Sequence, residues 1–587
     1  MHNFKFAFLS LSFLLFIGCS QKKPELSQPL TVNIIHINDH HSHLEAEEMP
    51  LTIEGQQVYA NIGGFPRVVS QIKALQAQKE NPITLHAGDA LQGTMYYTVF
   101  KSRADADMMN LIAWDAFALG NHEFDDGDAE LDRFLERLDT QHIVAANVIA
   151  SQQSPLHDNW RPYYIIERGG QKIAILGIEI AGKTQASSNP SQEIVFVDEL
   201  TTVKRYVKEI EKQGINKIIL LSHFGYENDQ ALASQVEGID VIIDGDSHTL
   251  MGDFSMVGLQ SVEKTYPKVV NSPSAHPVCM AQAWNYAYLV GSLAVQFDEK
   301  GYVKNCQGTP ILLMGDSFKE TNEKGEKVAV DMEQQAAILG VIDRYPQLQI
   351  VAEDTQAVAR LAQYKDQIET KKKEVLGEVT TYIGHNRIPN DRYDGHKALA
   401  LGSDIAPLVA KSFYLQSKRA DFCIQNAGGV RSGLKAGALT VEDIYSLLPF
   451  SNTLVELKLS GAEVKMMLEA VLSSIYDTKT SRSGSFPYGY AIRYDVDTTQ
   501  SQGNRVINIE IKNRKTGEWE ALKNNRSYVV VTNSYLASGK DGYDILKTIK
   551  EKTDTYLDYA MSFAEMVKQS RQVEKLPEEE HSIKSFK

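Results

Sequence analysis

The chain has 587 residues, 43% of them hydrophobic and 23% charged, with a formal net charge of −15 and four cysteines. That length accommodates two or more domains, and the composition is that of an ordinary soluble protein without internal repeats or low-complexity segments. With no basic surplus to neutralise a run of phosphates, a nucleic-acid polymer is excluded as the partner; small phosphate esters stay open if cations are supplied locally.

The chain begins with Lys5 in a short basic region and the apolar run Phe6 to Ile17, too short to span a bilayer as a helix and of the right length for a signal segment. Gly18-Cys19-Ser20 follows and resembles a bacterial lipobox, with Phe16 where Leu is usual, so the expectation is cleavage before Cys19 and its lipidation. Plain signal-peptide cleavage nearby is the alternative. Residues 20–30 then read as a polar tether. Export to an oxidising compartment allows one disulfide among Cys279, Cys306 and Cys423, and the first two, flanking an expected strand pair, are the better partners.

From residue 31 to about 335, short apolar runs alternate with helical stretches, as in βα units that build sheets covered on both faces. Thr31–Ile37 is the first strand and ends in Asn38-Asp39-His40-His41-Ser42-His43. Phe65 to Lys79 has helical spacing; Ile83–Ala87 is a strand that ends in Gly88-Asp89. The strand from Trp114 leads into Gly120-Asn121-His122-Glu123-Phe124-Asp125. Lys172–Ile178 is a strand whose end carries no ligand-type residue and so serves as an internal control. Lys217–Leu221 ends in Ser222-His223, and Ile239–Ile243 ends in Asp244-Gly-Asp246-Ser-His248. Five strand ends thus carry Asp, His or Asn, and in open α/β sheets such ends face the ligand crevice.

Residues 336–375 read as a linker region whose helix, Asp354 to Val375, presents Val358, Leu361, Ala362 and Ile368 on one side and a solvated face on the other. A smaller α/β domain follows over 376–573. The charged tail, 574–587, reads as loose.

Asp39, His41, Asp89, Asn121, His223, Asp246 and His248 form an oxygen and imidazole donor set sufficient for two divalent cations, which can acidify a water and clamp phosphoryl oxygens. Mixed N/O ligation suits Zn, Mn, Co or Fe better than Ca. His40 and His43 read as turn or surface residues. His122 with Asp125 three residues on is a pair able to hold one ring proton and offer the other nitrogen to a substrate.

The five blocks, Asp39-x-His41, Gly88-Asp89, Gly120-Asn-His-Glu123, Ser222-His223 and Gly245-Asp-Ser-His248, resemble those of the calcineurin-like metallophosphoesterases, and the whole chain resembles the bacterial 5′-nucleotidase family. The resemblance implies an N-terminal four-layer metallophosphoesterase β-sandwich flanked by helices, a linker helix and a smaller C-terminal α/β substrate-binding domain. It implies Asp39, His41, Asp89 and His248 at one cation and Asp89, Asn121, His223 and Asp246 at the other, with His122 and Asp125 as the catalytic dyad. Asp246 stands where that family's last block has its first His, which favours a harder ion such as Mn or Mg.

In the second half, Gln425-Asn-Ala-Gly-Gly-Val-Arg-Ser432 leaves a strand through glycines toward an arginine, suited to close backbone approach and anion binding. This loop is similar to the family's nucleotide-binding loop, and the resemblance implies substrate contacts at Asn426 and Arg431, a base gripped between Phe450 and Tyr535, and ribose held by Asp541. It also points to phosphate contacts at Arg387 and Arg392. Taken without the resemblance, Phe450 and Tyr535 read as core residues. Among subgroups the chain looks most like the NAD nucleotidases, through Gly402–Leu408, the Gln425 loop, Gly245–His248 and Thr555–Tyr559. The expected function is therefore an exported, membrane-anchored hydrolase in the periplasm that cuts NAD to NMN and AMP and then dephosphorylates 5′-monophosphates. The rivals are a 2′,3′-cyclic nucleotide phosphodiesterase or UDP-sugar hydrolase and, outside enzymes, a nucleotide-binding surface lipoprotein.

Overall fold

The computed structural model describes residues 28–322, 326–390, 399–450, 452–477 and 483–587. Cys19 with its signal segment, and Arg392, lie outside the described residues.

The N-terminal body is a sandwich of two sheets. The larger runs in the order Glu47–Ile53, Gln56–Ile62, Val303–Thr321, Leu289–Phe297, Leu30–Ile37, Pro82–His86, Ala116–Ala118, Ile143–Val144. The smaller runs Lys268–Asn271, Pro277–Gln282, Val241–Asp244, Ile218–His223, Gln171–Glu179, Tyr163–Arg168. Each sheet has a parallel centre, from Leu30–Ile37 to Ile143–Val144 in one and from Gln171–Glu179 to Pro277–Gln282 in the other. These strands read as near-continuous Val, Ile and Leu because both of their faces are covered. Val32, Ile34, Leu85, Ile175, Ile219 and Val241 fill the space between the sheets. Helices Phe65–Gln78 and Asp128–Arg137 cover the outer face of the larger sheet, and Glu199–Lys212 and Tyr226–Ala233 that of the smaller, which completes four layers.

Cys279, on Pro277–Gln282, is bonded to Cys306, on Val303–Thr321, with Cα atoms 6.3 Å apart. The disulfide joins one sheet of the sandwich to the other. Cys423 is a buried free thiol.

The helix in the linker region spans Thr355–Lys372 and starts at Asp354, whose carboxylate accepts from the Ala357 amide. Ala357, Leu361, Tyr364 and Ile368 are buried in the same core as Phe65 and Phe134, while Val358 is exposed. The helix is therefore a part of the first body, packed on its helices Phe65–Gln78, Met95–Phe100 and Arg103–Met109.

The C-terminal body has its own core. A five-stranded sheet, Pro487–Tyr490, Phe422–Asn426, Ser527–Asn533, Thr453–Ser460, Lys552–Asp558, packs on helices Ile405–Gln416, Gly461–Tyr476 and Tyr559–Ser570. The tail, expected to be loose, is instead ordered: Ile583–Phe586 adds a parallel strand beside Ile492–Val496 and buries His581, Ser582 and Ile583. Charge content alone conceals this strand, because its pairing partner lies far away in the sequence.

Candidate active site

All five expected strand ends open at the same rim of the sandwich, and their side chains converge. Ligand atoms of Asp39, His41 and His248 lie within 4.8 Å of one another, as do those of Asp39, Asp89 and His223 and those of His41, Asp89 and His122. His41 Nε2 is 3.7 Å from Asp89 Oδ2, His223 Nε2 3.1 Å from the same oxygen, and His248 Nε2 3.3 Å from Asp39 Oδ1. Asp246 is at the edge of this group, with Oδ1 3.9 Å from His223 Nε2. Asn121 joins it from the end of Ala116–Ala118, buried, with both amide atoms lacking a hydrogen-bond partner.

The backbone bends sharply to aim these groups. Asp39, His41, Asp89, Asp246 and His248 all have φ between 47° and 69°, the left-handed region that costs a non-glycine residue about 1 kcal/mol. Two glycines permit the crowding: a Cβ at Gly120 would lie 2.3 Å from Asp89 Oδ1, and one at Gly245 would lie 2.6 Å from the Ala87 carbonyl oxygen. Rings are fixed through their second nitrogens, His223 Nδ1 on the Ala87 carbonyl at 2.7 Å and His41 Nδ1 on that of Leu91 at 3.1 Å. His248 Nδ1 lies 2.9 Å from Asn285 Nδ2. The two carbonyls set the tautomer that leaves Nε2 of His223 and His41 for a ligand.

Glu123 does not face the cluster; it clamps the loops that do. Its carboxylate accepts from the backbone N–H of Asp89, Ala90, Leu91 and Gly120, at 2.7 to 3.3 Å. Burial, with Asp89 beside it, pushes its pKa up to about 7 against those donors.

The donor set fits cations. Buried Asn121 is a neutral oxygen ligand whose amide has no other use, and an unpaired buried amide is costly. The field is also negative: burial lowers the pKa of His223, yet Asp89, Asp39 and Asp246 raise it well above the ordinary value. Asp39, His41, Asp89 and His248 on one side, and Asp89, Asn121, His223 and Asp246 on the other, would hold two divalent ions.

His122 sits in the short turn His122–Phe124 with Nδ1 2.5 Å from Asp125 Oδ2. Its Nε2 is buried, without a hydrogen-bond partner, and faces the cluster beside His41. Burial lowers its pKa, but Asp125 and Asp89 carry it above the usual histidine value.

His40 and His43 are not surface residues. His40 is wholly buried, 2.9 Å from His86 Nε2 and 3.2 Å from Asp105 Oδ1; His43 stacks on Tyr286 at 3.9 Å. Neither belongs to a ligand group among the described residues.

Two further residues approach the centre, Lys183 outside every motif and Tyr556 within the Thr555–Tyr559 stretch that had marked only the subgroup. The strand taken as a control runs to Glu179, and four residues beyond it Lys183 places Nζ 2.5 Å from Asp246 Oδ1. From the C-terminal body, the Tyr556 hydroxyl donates to the Asp246 carbonyl oxygen at 2.5 Å, and its ring stacks on His248 at 4.3 Å. A lysine in the first turn of a helix, Ala181–Ser187, and a tyrosine in a strand are too common to show a role in a sequence.

The second body carries a cavity of about 350 Å³ lined by Arg387, Asn426, Arg431, Phe450, Tyr535 and Asp541, with glycines 428, 429 and 484. Phe450 is 43% and Tyr535 42% exposed, which removes the core-packing reading of both. Asp541 accepts from Tyr535 Oη at 3.0 Å and from Asn426 Nδ2 at 3.1 Å, and the Arg431 guanidinium lies 5.6 Å from the Phe450 ring centre. Asn452 borders this cavity and a second one of about 130 Å³ between the bodies, which His41, Tyr286, Thr453 and Tyr556 also line.

The chain matches the family models of the calcineurin-like phosphoesterases over residues 32–250 and of the 5′-nucleotidase C-terminal domain over residues 379–548. It is 37% identical to a probable 5′-nucleotidase of Treponema pallidum, over 94% of each chain. It is 36% identical to the NAD 5′-nucleotidase of Haemophilus influenzae, over 94% of this chain and 92% of that one. The solved structure of the Haemophilus influenzae NAD nucleotidase superposes with a TM-score of 0.87 at 36% identity, covering 95% of this chain and 99% of the other. A 5′-nucleotidase precursor of Thermus thermophilus does so at 0.56 and 30% identity, covering 94% and 99%. With a phosphoesterase sandwich, a converging donor set at its rim and a nucleotidase-type second domain in one chain, this protein belongs to the 5′-nucleotidase family of metallophosphoesterases.

Proposed function

We propose that this enzyme hydrolyses nucleotides at one dimetal centre, cutting the pyrophosphate bond of NAD to give NMN and AMP and then releasing phosphate from 5′-monophosphates. The observation that carries the reading is the pairing, in one chain, of a buried donor set for two cations with an open cavity that has aromatic rings on it and arginines and a carboxylate around it. The likeness to the NAD 5′-nucleotidase supports the choice of dinucleotide.

Two cations would supply Lewis-acid polarisation of the phosphoryl oxygens and a water acid enough to attack at neutral pH, with Zn, Mn, Co or Mg all compatible with the donors. The chain's own groups do the rest. Phe450 and Tyr535 stack on the base, and Asp541 accepts from the ribose hydroxyls. Asn426, Arg387 and Arg431 orient the nucleotide, with Arg392 as a further phosphate contact. His122, held by Asp125, donates its Nε2 proton toward the developing charge or the leaving oxygen. A phosphoanhydride and a monoester present phosphorus to the same groups, so both reactions are served.

Because Tyr556 lies against the imidazoles of the centre, a phosphoryl group reaches it only after the second body turns. The helix Thr355–Lys372, fixed to the first body, places the turning point after it. For localisation we propose export and lipidation at Cys19, giving a periplasmic enzyme anchored in the outer membrane; Cys19→Ser should move it from the membrane to the soluble fraction.

The test is a product time course with purified, metal-defined protein given NAD, AMP, a 2′,3′-cyclic nucleotide and UDP-glucose. NMN that rises and then falls as nicotinamide riboside and phosphate appear is the expected result. Turnover of the cyclic nucleotide or UDP-glucose with NAD intact would replace the NAD assignment.

A further inference from the structure

Tyr556 is held in place with care. Its backbone is in the left-handed region at φ 52°, costly for an aromatic residue, and its side chain crosses from the second body to the metal centre, where it is buried. The ring lies 4.3 Å from the His248 ring, 5.1 Å from that of His41 and 5.3 Å from that of His122. The fourth wall is cationic: Lys183 Nζ is 4.2 Å from the Tyr556 ring centre. The Lys183 side chain is 10% exposed and paired with Asp246. Three imidazoles and an ammonium thus border one aromatic ring whose hydroxyl reaches the Asp246 backbone. An ammonium over a π face is attracted to its negative quadrupole, and an anion would be held by the same charge more strongly.

We propose that the Tyr556 ring keeps the place of the phosphoryl group, and that Lys183 is a substrate-contact residue which receives that group once the ring withdraws. Asp246 Oδ1 holds the ammonium on one side, and the Tyr556 ring lies over it on another, so withdrawal of the ring uncovers the cation. Lys183 is then a permanent cation at the centre, which a phosphoryl oxygen meets in addition to the metals. The inference rests on the phosphohydrolase reading above.

The experiment measures binding of inorganic phosphate to metal-loaded protein by calorimetry, with metal content determined for every variant. For Lys183→Met and the more soluble Lys183→Gln, the dissociation constant should rise at least tenfold with metal content unchanged, and Lys183→Arg should stay within about threefold of wild type. Removal of the ring in Tyr556→Ala should tighten phosphate binding several-fold, and adding Lys183→Gln to it should weaken binding again. Unchanged phosphate binding in Lys183→Gln overturns the proposal, as does a loss of metal that accounts for the whole effect, since Lys183 would then only hold Asp246. Unchanged binding in Tyr556→Ala overturns the place-keeping role of the ring. Hydrolysis of AMP and NAD by the wild type is followed in parallel. Absence of both activities sinks the functional reading, whereas intact activities with phosphate binding indifferent to Lys183 sink only this inference.

Discussion

At the scale of single residues, the site is made by groups that would be unfavourable anywhere else. Asp39, His41, Asp89, Asp246 and His248 accept left-handed backbone, and Asn121 gives up its hydrogen bonds, so that all of them point at one place. His122 differs from its neighbours because Asp125 occupies one ring nitrogen and leaves the other toward the substrate space. His122→Ala should therefore lower kcat by about 10²- to 10⁴-fold while the metal content, measured by mass spectrometry, stays at the wild-type value. Loss of both metals in that variant would make His122 a ligand and the assigned role wrong. The ligand types and His122 were legible from the sequence because polar residues packed after apolar strands are uncommon. Lys183 was not, and Tyr556 lay in a stretch that marked only the subgroup, since contacts made across 63 and 310 positions of chain leave no local pattern.

At the scale of elements, each ligand is delivered by a strand end and each loop is tied to another. The Glu123 carboxylate joins the loop after Pro82–His86 to the loop after Ala116–Ala118 through four backbone donors. The two sheets are joined in turn by Cys279–Cys306, 27 residues apart in sequence. In the chain-entropy account, closing a loop of that length stabilises by about 3.5 kcal/mol. Cys279→Ser with Cys306→Ser should accordingly lower the melting temperature by several degrees in calorimetry, and an unchanged melting temperature would mean that the bond is not formed in the protein. The strands were readable from their apolar runs and period. The order of the tail was not, because Ile583–Phe586 becomes a strand only when Ile492–Val496 is beside it.

At the scale of the whole molecule, the donor cluster belongs to one body and the aromatic-lined cavity to the other, so the proposed turnover needs their relative movement. Thr98 Oγ1 and Met561 Sδ meet across the boundary at 2.6 Å, which offers a place to lock the present arrangement. In the double variant Thr98→Cys, Met561→Cys, oxidation to the new disulfide should reduce AMP turnover at least tenfold, and a mild reductant should restore it. Full activity in the locked protein would show that no reorientation is required.

The sequence by itself singled out the candidate ligands, the His122–Asp125 pair and the two aromatic residues that the structure places at one rim and one cavity. Donor chemistry and apolar periodicity are properties of neighbouring residues, and they persist whatever the chain does later. Tertiary structure alone decided which cysteines join, that the linker helix belongs to the first body, that Lys183 backs Asp246 and that the Tyr556 ring lies against His248. Each of these is an encounter between segments far apart along the chain, set by how two sheets and two bodies pack, and no spacing within a segment encodes it.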